Sequence, residues 1–270
     1  MKLGVFTCLL GNLPLEEALK YFKSKGIEMV EIGCGGYPGN SHADPDTLLA
    51  DPAALSTFKS TVADSGLEIS ALSCHGNPVH PNKAIAAEFD KTIKNTILLA
   101  EKLGIHQINT FSGCPGDQEN AKYPNWVVCP WPNDFSEILE WQWNEVLIPY
   151  WTKTVAFAKE HGVDKIAFEL HPGFCVYNTE SMLKIRKAVG PELGANFDPS
   201  HLIWQGMDPV AASERSATLS SISTPRTLKS TNTTPPSTAC LTPSPMQTRF
   251  TARGYSAPSA TATTTHIGRI

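Results

Sequence analysis

The chain has 270 residues, 41% of them apolar and 18% charged, with a formal net charge of −4. No apolar run approaches the roughly eighteen residues that a membrane span needs, and the charge excludes a nucleic-acid binder that relies on bulk positive charge. The averages hide a break near Ala212: residues 1–212 hold 25 of the 26 acidic residues, whereas residues 213–270 hold 24 Ser plus Thr and a single acid, Glu214.

Two objects follow from that break. Residues 1–212 have the length and apolar content of a single globular domain. Residues 213–270 supply too little apolar surface to offset chain entropy and are expected to form a disordered Ser/Thr/Pro-rich tail. The seven cysteines, Cys8, Cys34, Cys74, Cys114, Cys129, Cys175 and Cys240, show no CxxC and no paired spacing, as expected of small buried residues in a reducing compartment. The N-terminal MKLGVFTCLLG is interrupted by Gly4 and Gly11 and lacks a small-residue cleavage site, so a cytoplasmic location is expected.

From the N-terminus, β-rich runs recur at Leu3 to Thr7, Met29 to Ile32, Leu67 to Leu72, His106 to Phe111, Lys165 to Leu170 and Ala195 to Phe197. Between them, apolar residues at 3 and 4 spacing predict helices over Leu15 to Lys25, Ala53 to Ser65, Ile85 to Leu103, Phe135 to His161 and Thr179 to Val189. Gly26, Gly66, Gly104, Gly162 and Gly190 sit where left-handed caps would end these helices. Repeating βα units of this kind fit either a (β/α)8 barrel cut to about six units or a doubly wound sheet. No strand is followed by a glycine-rich phosphate loop. Instead, polar residues stand at strand ends: Glu31, Ser73 with His75, Asn109 with Ser112, Glu169 with His171, and Asp198 with His201. In an α/β TIM barrel those ends meet at one mouth.

Glu169, in KIAFELHP, would point into that mouth; the alternative is a carboxylate paired with a neighbouring lysine. Asp198 and His201, in ANFDPSH, have a spacing that can face one divalent ion or one sugar hydroxyl, with Pro199 keeping a helix from starting directly. Asp198 could equally serve as a helix N-cap. Carboxylate and imidazole donors without thiolates suit Mn, Mg, Co or Zn. His75, in SALSCHGNPVHP, sits in a tight turn past the third strand. The long segment from Cys114 to Tyr150 brings Trp126 and other tryptophans that could stack on a sugar or build a satellite core.

The runs VEIGCGGYPGNSH, ISALSCHGNPVHP, FELHPGF and GANFDPSHLIWQGMDPVAA closely resemble sugar phosphate isomerases and epimerases of the xylose-isomerase-like TIM-barrel superfamily, over residues 1–212. The resemblance implies a divalent metal bound by Glu169 and Asp198, with Glu169 and His201 catalytic and His201 contacting substrate. It implies substrate contacts from His75, Asn109, His171, Trp126 and Trp204. A small sugar or sugar phosphate is the implied partner, and proton transfer through an enediolate the implied chemistry. A homo-oligomer is compatible with the intact parent; the acidic body argues against nucleic acid. Polyol dehydration and cleavage at a damaged DNA site are the alternatives within the fold.

Past DPVAA, the family's seventh strand with its HxHxKD motif and its eighth strand are missing. Back-translation of Ser213 to Thr231, shifted by one base, permits the string IRALGDAIFHFHAKDTKID, which contains that motif. The tail therefore reads as a frameshifted stretch, with Thr224 where a metal-binding histidine is expected. On this reading the chain holds its metal weakly and has impaired activity. A non-catalytic truncated product or binding module is the alternative.

Overall fold

The computed structural model describes residues 2–129 and 131–217. The chain passes through β1 (Gly4–Phe6), a 3-10 turn (Thr7–Leu10), α1 (Leu15–Ser24), β2 (Met29–Gly33), α2 (Pro45–Ala50), α3 (Pro52–Ser65), β3 (Glu68–Ser73) and α4 (Lys83–Leu103). It continues through β4 (Gln107–Thr110), α5 (Asn133–Trp141), a π-helical segment (Gln142–Leu147), α6 (Ile148–Glu160), β5 (Lys165–Glu169), α7 (Thr179–Val189), β6 (Leu193–Asn196), α8 (Pro199–Trp204) and α9 (Pro209–Ala217). The six strands form one sheet in consecutive order, every pair parallel. A doubly wound sheet would reverse its strand order at a switch point, so the consecutive order identifies a TIM-barrel-like fold. Among the described residues the outer edges are β1 and β6.

Parallel strands are covered on both faces and need apolar side chains on both. Ile166, Ala167 and Phe168 of β5 are accordingly all buried, as are Val30, Ile32, Leu72, Ile108 and Leu193 on neighbouring strands. α1, α3, α4, α6 and α7 each bury a stripe of side chains in the core, whereas α5 buries none. On α4, Ile93, Ile97 and Ala100 repeat at 4 and 3 spacing. Asn82 caps its start by accepting from Ala84 N at 3.0 Å, and Gly104 ends it at φ +69°.

Local chemistry moves some expected boundaries. Gly190 is extended rather than left-handed, with φ 160° and ψ 168°, because Pro191 follows it and disfavours helical geometry in the preceding residue. The helix expected over Phe135 to His161 is divided by the π-helical segment. Pro149, near the start of α6, has no N–H for the ladder, and the divided helix accommodates it. Pro199 does not delay a helix as expected; it occupies the first turn of α8, where its missing N–H has no helical partner to lose. α2 escaped the periodicity reading because six residues are too few to show a repeat; Asp44 caps it through Asp46 N and Thr47 Oγ1.

The composition break at Ala212 does not end the ordered chain. α9 continues through Ser213 to Ala217, and Arg215 Nη2 on it lies 3.0 Å from Glu180 Oε1 on α7. The rest of the segment assigned to an out-of-frame tail, including Thr224, lies outside the described residues.

Trp151 on α6 ties the outer helix layer to the sheet. It is fully buried, its Nε1 donates to Ser112 O at 2.8 Å, and its ring meets Phe168 edge-on at 4.5 Å. Ser112 Oγ in turn accepts from Val176 N at 2.9 Å, which fixes the segment between β5 and α7. Trp151→Phe removes the donor together with part of the buried ring volume. The expected cost is about 1–3 kcal/mol, read as a lower urea midpoint at unchanged m; an unaltered midpoint would show that the hydrogen bond contributes nothing.

Candidate active site and metal centre

Glu169 closes β5, at the C-terminal end of the sheet, with its side chain mostly buried. Two imidazoles meet its carboxylate. His201 Nε2 lies 2.8 Å from Oε1, and His75 Nε2 lies 3.0 Å from Oε2. His75 follows β3 in a turn that buries it almost completely, and neither ring nitrogen has an aligned hydrogen-bond partner. His201 stands in the first turn of α8, three residues beyond Asp198. Asp198 divides its carboxylate: Oδ1 accepts from Ser200 N at 2.8 Å and caps α8, while Oδ2 lies 3.9 Å from His201 Nε2. The capping and site readings of Asp198 are thus both compatible with one geometry, because a carboxylate has two oxygens.

Burial pushes the Glu169 carboxyl up, but the contacts with His201 and His75 outweigh it and hold the group well below the usual carboxylate range. His171 sits beside this cluster, its ring 4.2 Å from that of His201. Burial first, and then repulsion from His201, lowers its pKa. Glu169, Asp198 and His201 each offer one donor atom within 4.8 Å of the others, the one such cluster among the described residues. Two carboxylates and an imidazole form a hard donor set that could hold a divalent cation.

The remaining expected residues separate. Asn109 is buried on β4, with Oδ1 accepting from Gln107 Nε2 at 3.1 Å and Nδ2 unpartnered. Trp204 lies on the same helix as His201 and is partly buried. Trp126 lies elsewhere: it packs edge-on against Tyr177, at 5.2 Å, and lines a cavity that contains none of the residues around Glu169.

Several residues here escaped sequence reasoning. Phe111 packs at 4.7 Å from His75 and 5.1 Å from His171, and stacks on Phe174 at 4.2 Å, making one wall of the mouth. Thr7, just past β1, is fully buried with its hydroxyl unpartnered. Its signal was the one that identified Asn109 and His75, a polar residue at a strand end, but a lone threonine is too common to single out. Glu31 and Ser73, which the sequence does single out at strand ends, meet there: Glu31 accepts a hydrogen bond from Ser73, beside a register shift at Val30/Glu31.

A family model described as "Xylose isomerase-like TIM barrel" matches residues 19–223. The chain belongs to the xylose isomerase-like TIM-barrel family. The "Uncharacterized protein YfiH" of Bacillus subtilis (strain 168) is 39% identical over 214 residues, covering 78% of this chain and 68% of that protein. Among solved structures, D-psicose 3-epimerase from Clostridium cellulolyticum H10, determined with D-tagatose, has a TM-score of 0.57 at 13% identity over 81% of this chain and 71% of its own. A xylose isomerase-like TIM-barrel protein from Mycobacterium smegmatis, determined in complex with magnesium, has a TM-score of 0.58 at 15% identity, covering 82% and 73%. These two solved structures share the fold. Among the described residues, no helix is long and apolar enough to cross a membrane.

The divided role of Asp198 gives a separable expectation. Asp198→Asn keeps an oxygen for Ser200 N, so stability should change by no more than about 0.5 kcal/mol, whereas Asp198→Ala should cost about 1 kcal/mol. Both should weaken Mn2+ binding, measured by calorimetric titration, by at least about tenfold. Unchanged affinity in both variants would remove Asp198 from the centre.

Proposed function

We propose that the chain acts on a small sugar or sugar-like polyol as an isomerase or epimerase, with Glu169 as the group that takes and returns the proton. The observation that carries this reading is a polar mouth with unspent hydrogen-bonding capacity: Thr7 Oγ1, His75 Nδ1 and Asn109 Nδ2 are buried without partners at or near strand ends on the side of the sheet that carries the ionised Glu169. Buried polar groups in native proteins are nearly always paired. A ligand carrying several hydroxyls, each both donor and acceptor, would satisfy them together.

The mechanism follows from what these residues can hold and move. An ionised Glu169 can accept a proton from a carbon next to a carbonyl. The imidazoles that keep it ionised also weaken it as a base, so His75 has to turn its hydrogen bonding toward a substrate hydroxyl before the transfer. That exchange couples substrate binding to the basicity of Glu169. Phe111 and Phe174 keep one side of the mouth apolar, limiting competition from water. Glu169, Asp198 and His201 would hold a divalent cation, which supplies positive charge to favour deprotonation beside a carbonyl. The weakly held metal and impaired turnover follow from reading the residues beyond 212 as frameshifted, with Thr224 where the resemblance places a metal-binding histidine, and belong to the same proposal.

The test is proton exchange. Incubated with Mn2+ and a panel of ketohexoses in D2O, the chain should introduce deuterium at a carbon next to the carbonyl, seen as loss of a proton signal by NMR. Glu169→Gln should slow that exchange by at least about 100-fold with an unchanged far-UV spectrum. Exchange retained in this variant, or absent in the parent chain across the panel, would overturn the reading.

A further inference from the structure

A second cavity lies apart from the mouth, enclosed by the segment after β4, the start of the π-helical segment and the first turns of α7. It has a volume of about 230 Å³. Its walls include Trp126, Trp143 and Tyr177, and none of Thr7, His75, Asn109, Glu169, His171, Asp198 or His201 lines it.

Three of its lining residues carry a buried polar atom without a hydrogen-bond partner: Trp126 Nε1, Gln142 Oε1 and Glu180 Oε2. Gln142 is wholly buried, and its amide nitrogen is fully used, donating to Gly116 O at 2.9 Å and Asn125 O at 2.7 Å. That bonding points the amide's nitrogen at the loop backbone and leaves its oxygen as a fixed acceptor. The other oxygen of Glu180 is held by Arg215. Lys184 adds a cation 4.0 Å above the Trp143 ring. Gln142 also opens the π-helical segment, a distortion found frequently at functional sites.

We infer that this cavity binds a neutral polyhydroxylated small molecule of monosaccharide size or below, at a site distinct from the mouth. Two acceptors, Gln142 Oε1 and Glu180 Oε2, call for donors on the ligand. Trp126 Nε1 and Lys184 call for acceptors. Hydroxyl groups provide both at once. A carboxylate or phosphate would face the Glu180 charge and bring no donor for Gln142, and a hydrocarbon would leave all three buried atoms unpaired. The indole and phenol walls give the apolar faces on which the C–H side of a polyol packs. A mostly apolar cavity with a few convergent polar groups is the usual form of a small-molecule site.

The test uses the full chain carrying Glu169→Gln, so that failure of the proposed chemistry at the mouth does not decide it. D-glucose, D-fructose and xylitol are titrated separately while the tryptophan indole N–H signals are followed by NMR. At least one probe should give a saturable shift of the Trp126 signal, assigned through Trp126→Phe. Its affinity, measured by calorimetry, should fall by at least about tenfold in Trp126→Phe and in Glu180→Leu, each shown to be folded by its thermal transition. No saturable shift with any probe, a shift confined to residues of the mouth, or affinity unchanged in both variants would overturn the assignment.

Discussion

A buried carboxylate between two imidazoles organises the upper end of this fold. Glu169 belongs to β5, His75 to the turn after β3 and His201 to α8, so one charge draws three parts of the chain together. An isolated carboxylate at this depth would be costly, and removing one partner of a buried charged group leaves the other uncompensated. The sheet order makes the meeting feasible: consecutive parallel strands deliver every strand end to the same side. Asp198 then adds to the cluster without giving up its helix cap, because each carboxylate oxygen has its own task.

Much of this was legible in the residues. A parallel strand buried on both faces must be a short apolar run, and KIAFE reads as one, ending in the carboxylate that reaches the mouth. The helices on either side declared themselves through apolar spacing, and Thr179–Val189 has the bounds that the spacing predicts. The polar residues at strand ends include Glu169, His75, His201 and Asp198, which the structure brings together.

What was hidden depended on backbone detail or on contacts distant in sequence. Pro199 reads as a helix breaker unless the residue before it serves as a cap. Pro149 gave no sign that the helix around it would divide. Trp126, in a long loop after a barrel strand, could from the sequence either stack on a sugar or build a satellite core; the fold packs it against Tyr177, where it lines a cavity apart from the mouth. That cavity draws on stretches around residues 126–129, 142–143 and 175–184, which no local pattern connects. The composition break also falls inside an element: composition changes at Ala212, but α9 runs from Pro209 to Ala217, and its Arg215 meets Glu180.

The account stands on Glu169, Asp198 and His201 forming one cation site. Anomalous scattering from crystals of the full chain soaked in Mn2+ addresses this directly. The expected result is a peak within about 2–2.6 Å of carboxylate oxygens of both Glu169 and Asp198, with the His201 imidazole turned from Glu169 toward the ion. Crystals with Mn2+ bound elsewhere, or with none while Glu169 keeps both imidazoles, would contradict it.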